Sequence, residues 1–401
     1  MDDVVHTSRS VAGAGQPTTR RNFLRWSLAA TAAVPLAGLA TRPPMANAAT
    51  QLPLTIVNHT NAYANNVIWC YIVGTNLSTN AQSYVRADGT LVPVSPSLNG
   101  PDGYADLSIP LVADGDTTIS LPNMSGRIYF SINDKLKFRV VTDGNGNPAL
   151  QYPAGWVSSD PSYSVLHDWV EFTFNGGMYC NTTMVDMFSI PLAIQLNGSS
   201  QQTTGTLKPG GRSAIFAAIA AQPDFARLVV GNSLRVIAPG HGIDAGLFSA
   251  GYYDQYITDV WNQYANTDLN VAINGTSYVG RVSGNTLVFN GGVAQYAKPR
   301  TQDVFYCAGA LAPTGGAGGP IAAQLGAAFN RSTLLAYANQ PVNDPSLFYQ
   351  PGSTNHYAQV MHQNTVDGKA YGFPFDDVSG FAAYVADGSP TATTVTLTPF
   401  S

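Results

Sequence analysis

The sequence predicts a β-rich α+β protein. A β-sandwich or barrel is expected over residues 49–205, a mixed α/β region over 206–354, and a segment, 355–401, that returns to the β body. Three observations carry this reading. Short β-branched and aromatic runs recur at hairpin spacing from Leu52 to about Asn197. Turn residues punctuate those runs. After Lys208 the apolar period changes from that of a strand to that of a helix.

The expected strands are 54–57, 67–73, 117–121, 127–132, 137–141, 170–174 and 184–196. Between them Asp88-Gly89, Asn99-Gly100, Asp114-Gly115 and Asp143-Gly144-Asn145-Gly146 supply turn chemistry. Beyond Lys208 the stretch 213–221 is alanine-rich, with Ser213 as the expected N-cap. Tyr252, Tyr253, Tyr256, Ile257, Val260, Trp261 and Tyr264 fall at helical spacing. A third helix is expected over 320–337, because Pro320 suits a first helical turn. Strand patterns return at 286–289, 381–385 and 393–397, and no internal repeat is visible.

Composition narrows the function classes. Only 11% of the 401 residues are charged, against about one-quarter in a typical globular chain, while Gly (39), Pro (26), Tyr (20) and Phe (17) are abundant. That excludes a coiled coil and a disordered acidic tail. A net charge of −5 argues against a nucleic-acid partner, which requires clustered Lys and Arg. Binders and hydrolases of neutral polymers have this texture.

Thr19-Arg20-Arg21-Asn22-Phe23-Leu24 has the form of a twin-arginine export signal. The apolar stretch 26–40 is too short to span a bilayer, Pro35 interrupts it, and Ala46-Asn47-Ala48 offers a small-residue cleavage site. Removing residues 1–48 takes away five of 19 basic and two of 24 acidic residues, leaving a net charge of −8. The mature protein is expected to be secreted, free of the membrane and monomeric. Cys70, Cys180 and Cys307 permit one disulfide with one thiol left over. With no C-x-x-C and no close histidine partner, neither a zinc site nor any other metal or cofactor is expected.

Several motifs are bland. Gly315-Gly316-Ala317-Gly318-Gly319-Pro320 lacks the strand and spacing of a phosphate loop and reads as a flexible loop. Pro239-Gly240-His241-Gly242 could hold a catalytic histidine, but no G-x-S-x-G elbow supplies a serine. His356 and His362 are not spaced as helix metal ligands, and the aromatic stripe from Tyr252 to Tyr264 reads as core.

Residues 168–192 carry the chemistry. Val170, Phe172 and Phe174 point to one face of a strand, and Trp169, Glu171, Thr173 and Asn175 to the other. The second face carries an acid, a hydroxyl and an amide in a row, as sugar hydroxyls require. A symmetric loop over 176–181 pairs Glu171 with Asp186, and like charges placed opposite one another destabilise a sheet unless they serve a function. The readings that follow are a glycosidase pair, one carboxyl as acid and one as base or nucleophile, or a solvated pair on an exposed face, or hydrogen-bonded turn residues.

Glu171-Phe172-Thr173-Phe174-Asn175, followed by Val185-Asp186-Met187-Phe188-Ser189-Ile190-Pro191, resembles the E-F-T-x-N…V-D-x-F-x-x-P signature of glycoside hydrolase family 64. These are endo-β-1,3-glucanases, the laminaripentaose-producing enzymes among them. Tyr371-Gly372-Phe373-Pro374-Phe375-Asp376-Asp377 is similar to a second segment shared with thaumatin-like proteins. Plant thaumatin-like proteins are shorter and stapled by many disulfides, and Asn181 stands where many of their clefts carry an aspartate. The resemblance implies a thaumatin-like β-barrel or sandwich domain and a mixed α/β domain flanking a wide groove. It implies Glu171 as general acid and Asp186 as general base, with inversion at the anomeric carbon. Thr173, Asn175 and Thr183 match groove positions, and Tyr179 sits where relatives place a stacking aromatic. Trp169, on the face of Glu171, is the candidate to desolvate it and to line the groove. Asp376 and Asp377 are read as structural. The partner implied is a β-1,3-glucan. The rivals are a non-catalytic β-glucan-binding thaumatin-like protein and a hydrolase of another wall polymer.

Overall fold

Alternating apolar residues build two sheets whose inner faces meet. The computed structural model describes residues 50–350 and 352–401, so the expected export signal over 1–48 lies outside the described residues. One sheet has five strands in the order Gln201–Thr204, Leu192–Asn197, Ala392–Leu397, Gln51–Asn58 and Thr117–Pro122. The other runs Tyr384–Asp387, Gly177–Thr182, Leu166–Asn175, Met124–Ile132, Ile68–Asn76, Gln82–Val85 and Leu91–Pro93, with Ile109–Pro110 also pairing Ile68–Asn76. Leu54, Ile56, Ile119, Leu121, Ile194 and Val395 from the first sheet meet Ile72, Ile128, Phe130, Phe172 and Phe174 from the second in one buried core. Of the two architectures expected, the molecule takes the sandwich. Among the described residues no barrel closes, because the end strands Tyr384–Asp387 and Leu91–Pro93 do not pair with each other.

The strand expected over 184–196 is two strands. Met187–Phe188 pairs with Arg235–Ile237, and Leu192–Asn197 joins the five-stranded sheet. Pro191 separates them, since proline cannot donate to a ladder. Met184 and Phe188 are buried in a second core with Ile215, Tyr253, Tyr264, Leu325 and Tyr357. That core lies among the helices Gly211–Ala220, Asp254–Asn266, Gly318–Asn330 and His356–Asn364 and the sheet Gln295–Ala297, Thr286–Phe289, Thr276–Ser283, Leu269–Ile273 and Asn339–Gln340. The chain rejoins the eight-stranded sheet at Tyr384–Asp387.

Two helix limits differ from expectation. Ser213 is exposed inside the first helix, which starts at Gly211 after Gly210 enters at φ 69°, a conformation that favours glycine. The helix expected to reach residue 337 ends at Asn330, with Ser332 at φ 57° shortly after. The tyrosine stripe is core: Tyr256, Ile257, Val260, Trp261 and Tyr264 are buried. All three cysteines are buried and unpaired, so the permitted disulfide does not form. No helix among the described residues is long and apolar enough to cross a membrane.

Asp376 clamps the returning segment to the second core. Its carboxyl, fully buried, accepts from Arg331 Nη2 at 3.1 Å, His362 Nε2 at 2.8 Å and the Gly372 N–H at 3.0 Å. Burial opposes a charged His362 ring, but Asp376 outweighs it and holds the ring's pKa above the ordinary value. A raised folded-state pKa contributes stability fully below the unfolded value of 6.5, and loses it as pH rises through the folded value. His362→Gln is therefore expected to destabilise the protein most below about pH 6.5, the gap from the parent narrowing as pH rises; urea unfolding at a series of pH values checks this. A second prediction concerns Gly74 and Gly126, which pair across the sandwich's central strands. A Cβ on Gly126 would run into the Val73 carbonyl oxygen. Gly126→Ala should destabilise by about 1–3 kcal/mol, whereas Gly144→Ala, in open space, should leave the thermal midpoint unchanged.

Candidate active site

Glu171 sits on the inner strand Leu166–Asn175, in the middle of a polar row that crosses the outer face of the sheet. The turn after this strand is tighter than the loop expected over 176–181: Gly176, at φ 76°, reverses the chain alone, and Asn175 pairs with Gly177. The register then sets Thr173 opposite Tyr179 and Glu171 opposite Asn181, not Asp186. On its other side Glu171 pairs with Arg127, and beyond Asn181 comes Tyr384. Residues opposite one another share a face, so Tyr384, Asn181, Glu171 and Arg127 form one row.

The row is a charge-assisted network. Glu171 is 7% exposed; its Oε1 accepts from Arg127 Nε at 3.2 Å and its Oε2 from Asn181 Nδ2 at 3.4 Å. Arg127 also donates to the Tyr129 hydroxyl at 3.0 Å and lies over the Trp169 ring, 5.0 Å from its centroid. Burial works against the Arg127 charge, yet Tyr129, Glu171 and Asp186 together hold its pKa above the ordinary value. Trp169 does not line a groove. It is 1% exposed, covered by Tyr129 at 5.1 Å and Trp156 at 6.3 Å between ring centroids, and supports Arg127 from beneath. Of the other expected contacts, Asn175 is exposed, Tyr179 is half-buried, and Thr173 is half-buried with its hydroxyl 2.8 Å from Ser125 Oγ. Thr183 is buried, its hydroxyl accepting the Val185 N–H at 3.4 Å.

Asp186 reaches the site by another route. Asp168, three residues before Glu171, accepts the backbone N–H groups of Trp169, Ser189 and Ile190 at 2.9, 2.8 and 3.2 Å. It thereby ties the Glu171 strand to the segment that follows Asp186. The Asp186 carbonyl accepts the Ala238 N–H at 3.0 Å, just ahead of the short helix Pro239–Asp244. That helix places His241 Nε2 2.9 Å from Asp186 Oδ1. His241 Nδ1 lies 2.9 Å from the Tyr306 hydroxyl, which also meets Asp244 Oδ2 at 2.5 Å. Trp156 stacks on the imidazole at 4.2 Å and 20°. The sequence singles out the His241 motif but sets it aside for want of a serine; its partner is a carboxylate 55 positions away. Arg127, 44 positions from Glu171, carries no sequence signal at all.

Residues 50–397 match the family model described as β-1,3-glucanase, glycoside hydrolase family 64. The chain belongs to that family. It is 36% identical over 410 residues to a glucan endo-1,3-β-glucosidase of Arthrobacter sp. (strain YCWD3), covering 96% of this chain and 72% of the relative. A laminaripentaose-producing β-1,3-glucanase, solved in complex with laminaritetraose, superposes with a TM-score of 0.81 at 39% identity, over 88% of this chain and 100% of that one. A family 64 β-1,3-glucanase domain from Clostridium beijerinckii gives 0.76 at 29% identity, over 89% and 100%. This family 64 chain is thus a glycoside hydrolase.

The Glu171–Arg127 pair predicts a coupled stability effect. Where Glu171 is ionised, Arg127→Met takes the guanidinium from a buried carboxylate and should destabilise by about 3–5 kcal/mol. Adding Glu171→Gln should restore most of that loss, because the uncompensated charge is gone. A double-mutant cycle read by urea unfolding checks it.

Proposed function

We propose that this chain is a secreted, endo-acting β-1,3-glucanase that releases short laminari-oligosaccharides with inversion, Glu171 serving as general acid and Asp186 as general base. The observation that carries the proposal is that these two carboxyls, on separate segments, are held by different partners: Glu171 by Arg127 and Asn181, Asp186 by His241. Two carboxyls in unlike surroundings are what an acid and a base require of one site. Glu171 gives its proton to the glycosidic oxygen as the bond to the anomeric carbon breaks. Arg127 is placed to stabilise the carboxylate that remains. Asp186 takes a proton from a water that attacks the anomeric carbon from the opposite face, which calls for carboxyls about 6.5–9.5 Å apart.

Asn175 and Tyr179, at the exposed end of the same face, are the groove contacts; Thr173 joins them through the hydroxyl it shares with Ser125, and Thr183 by exchanging its local bond to Val185 for a sugar hydroxyl. Tyr384, 38% exposed and beside Asn181, extends the aromatic surface. The region 49–205, of thaumatin-like kind, and the region 206–354 form the two walls of the groove. The laminaritetraose complex of the relative supports a β-1,3-glucan as substrate. Export follows the twin-arginine route, and the mature protein acts as a monomer without a cofactor.

Incubation of the protein with a soluble β-1,3-glucan, followed by NMR, is expected to yield α-anomeric oligosaccharides first; β-anomers would exclude inversion, and binding without cleavage would exclude the enzyme reading. Glu171→Gln and Asp186→Asn should each lower kcat by about 10²–10⁴-fold with the fold intact. Wild-type activity in Glu171→Gln would sink the assignment.

A further inference from the structure

The outer face of the eight-stranded sheet changes character from row to row. Tyr71, Tyr129 and Trp169 stand opposite one another and are buried. Two residues along each strand, the next row sets Val73, Arg127 and Glu171 side by side. Two residues further, five strands bring Gln82, Thr75, Ser125, Thr173 and Tyr179 into register, and residues opposite one another share a face. This last row carries only hydroxyls and an amide, with no charge. Thr75 is buried and the other four are half-buried.

The row is ordered as far as its distal end. Ser125 Oγ and Thr173 Oγ1 lie 2.8 Å apart. Gln82 Nε2 donates to Thr75 Oγ1 at 3.2 Å, and Gln82 Oε1 accepts from the Tyr152 hydroxyl at 2.9 Å. The Tyr152 ring lies 6.0 Å from the Arg127 guanidinium and stacks on Tyr129 at 6.3 Å. The far end of the row is therefore referred to the pair that holds Glu171. Two hydroxyls carry two donors and four acceptor sites, and a primary amide two donors. The bonds named leave Ser125, Thr173 and Gln82 capacity for a partner from outside.

What is covered sets the direction of an extended ligand. Two residues before Glu171, Trp169 is 1% exposed and covered by Trp156, which in turn stacks on His241. A chain laid along the strand Leu166–Asn175 is stopped there. Across the strands the row offers one polar group about every 4.8 Å, a step comparable with the length of a pyranose ring. From Thr173 to Gln82 there are three such steps, about 14 Å. We propose that Ser125, Thr75 and Gln82 continue the glucan site from Thr173 across the sheet, and that glycosyl units remote from the cleaved bond bind along this row. The proposal rests on the reading of this chain as an endo-β-1,3-glucanase. The row suits an uncharged polymer, since its neutral groups are covered at a lower desolvation cost than ions. Ser125, Thr75 and Gln82 touch no reacting atom; they determine which chain lengths are preferred.

The test measures kcat/KM on β-1,3-linked gluco-oligosaccharides of increasing length and on a soluble β-1,3-glucan, for the parent, Gln82→Ala and Ser125→Ala. In each variant the ratio of kcat/KM on the polymer to that on the shortest oligosaccharide cleaved should fall about 2–10-fold, the worth of one neutral hydrogen bond. The loss should set in at a shorter chain in Ser125→Ala than in Gln82→Ala, because Ser125 is one strand from Thr173 and Gln82 is three. Thr118→Ala, which removes an exposed hydroxyl from the other sheet, should leave the ratio unchanged. A parent-like ratio in both row variants would overturn the proposal. So would an equal loss at every length, which is the mark of a structural role. A ratio lowered by Asn175→Ala but by neither row variant would lay the chain along the strand and overturn it as well. Calorimetry on Glu171→Gln separates the row from the catalytic assignment. Affinity that rises with oligosaccharide length in Glu171→Gln, and no longer does so when Gln82→Ala is added, upholds the row whatever the roles of the carboxyls. A parent that neither binds nor cleaves a β-1,3-glucan overturns the substrate reading and the row with it. Should one row variant fail to fold, the other decides the question.

Discussion

The Asp168 carboxylate is the constraint on which the site's geometry depends. It is 3% exposed and receives three backbone N–H groups, one from its own strand and two from the segment after Asp186. Burial raises its pKa to about 7 against the pull of those N–H groups and of nearby Arg235. A side chain held at such a desolvation cost, three residues from Glu171, fixes two stretches of chain that no ladder joins. The Ser189 hydroxyl continues the tie by donating to the Leu234 carbonyl at 2.7 Å. Glu171 and Asp186 thus acquire a fixed relation from a carboxylate that binds the backbone of Trp169, Ser189 and Ile190, and side chains outside a reacting centre set its precision in this way.

The same segment is where the two cores exchange residues. Met184 and Phe188 are buried on the α/β side, and Met187 on the outer face of the sandwich with Tyr129 and Trp169. Asp186 lies between apolar anchors that face different ways, so its carboxyl cannot follow the motion of one core alone. Its partner His241 comes from the α/β side, whereas Glu171 and both its named partners belong to one sheet. One carboxyl is set by strand register, the other by tertiary packing.

That difference explains what could be read from the sequence. Val170, Phe172 and Phe174 do enter the core, and Glu171, Thr173 and Asn175 do take the opposite face, because strand alternation is a local property. Register is not local. Treating 176–181 as a loop pairs Glu171 with Asp186, whereas one glycine at positive φ moves every partner and brings Asn181 there instead. The break at Pro191 within the expected strand 184–196 was visible in the sequence as a proline. That His241 and Arg127 converge on the two carboxyls was not, since each contact spans more than forty residues and follows no period.

Support for His241 runs through rings rather than through its own helix, which is six residues long. Tyr129, Trp169, Trp156 and the imidazole follow one another at centroid separations of 5.1, 6.3 and 4.2 Å. Tyr129 and Trp169 are rooted in neighbouring strands of the sandwich and are fully buried. Aromatic rings bring large contact area with few rotatable bonds, so such a pile transmits position with little slack. Trp169, expected to meet sugar, therefore serves the site from inside: Arg127 lies over one part of it and Trp156 meets another. The sheet that holds Glu171 by register holds His241 by packing, and both carboxyl environments are referred to the same two strands.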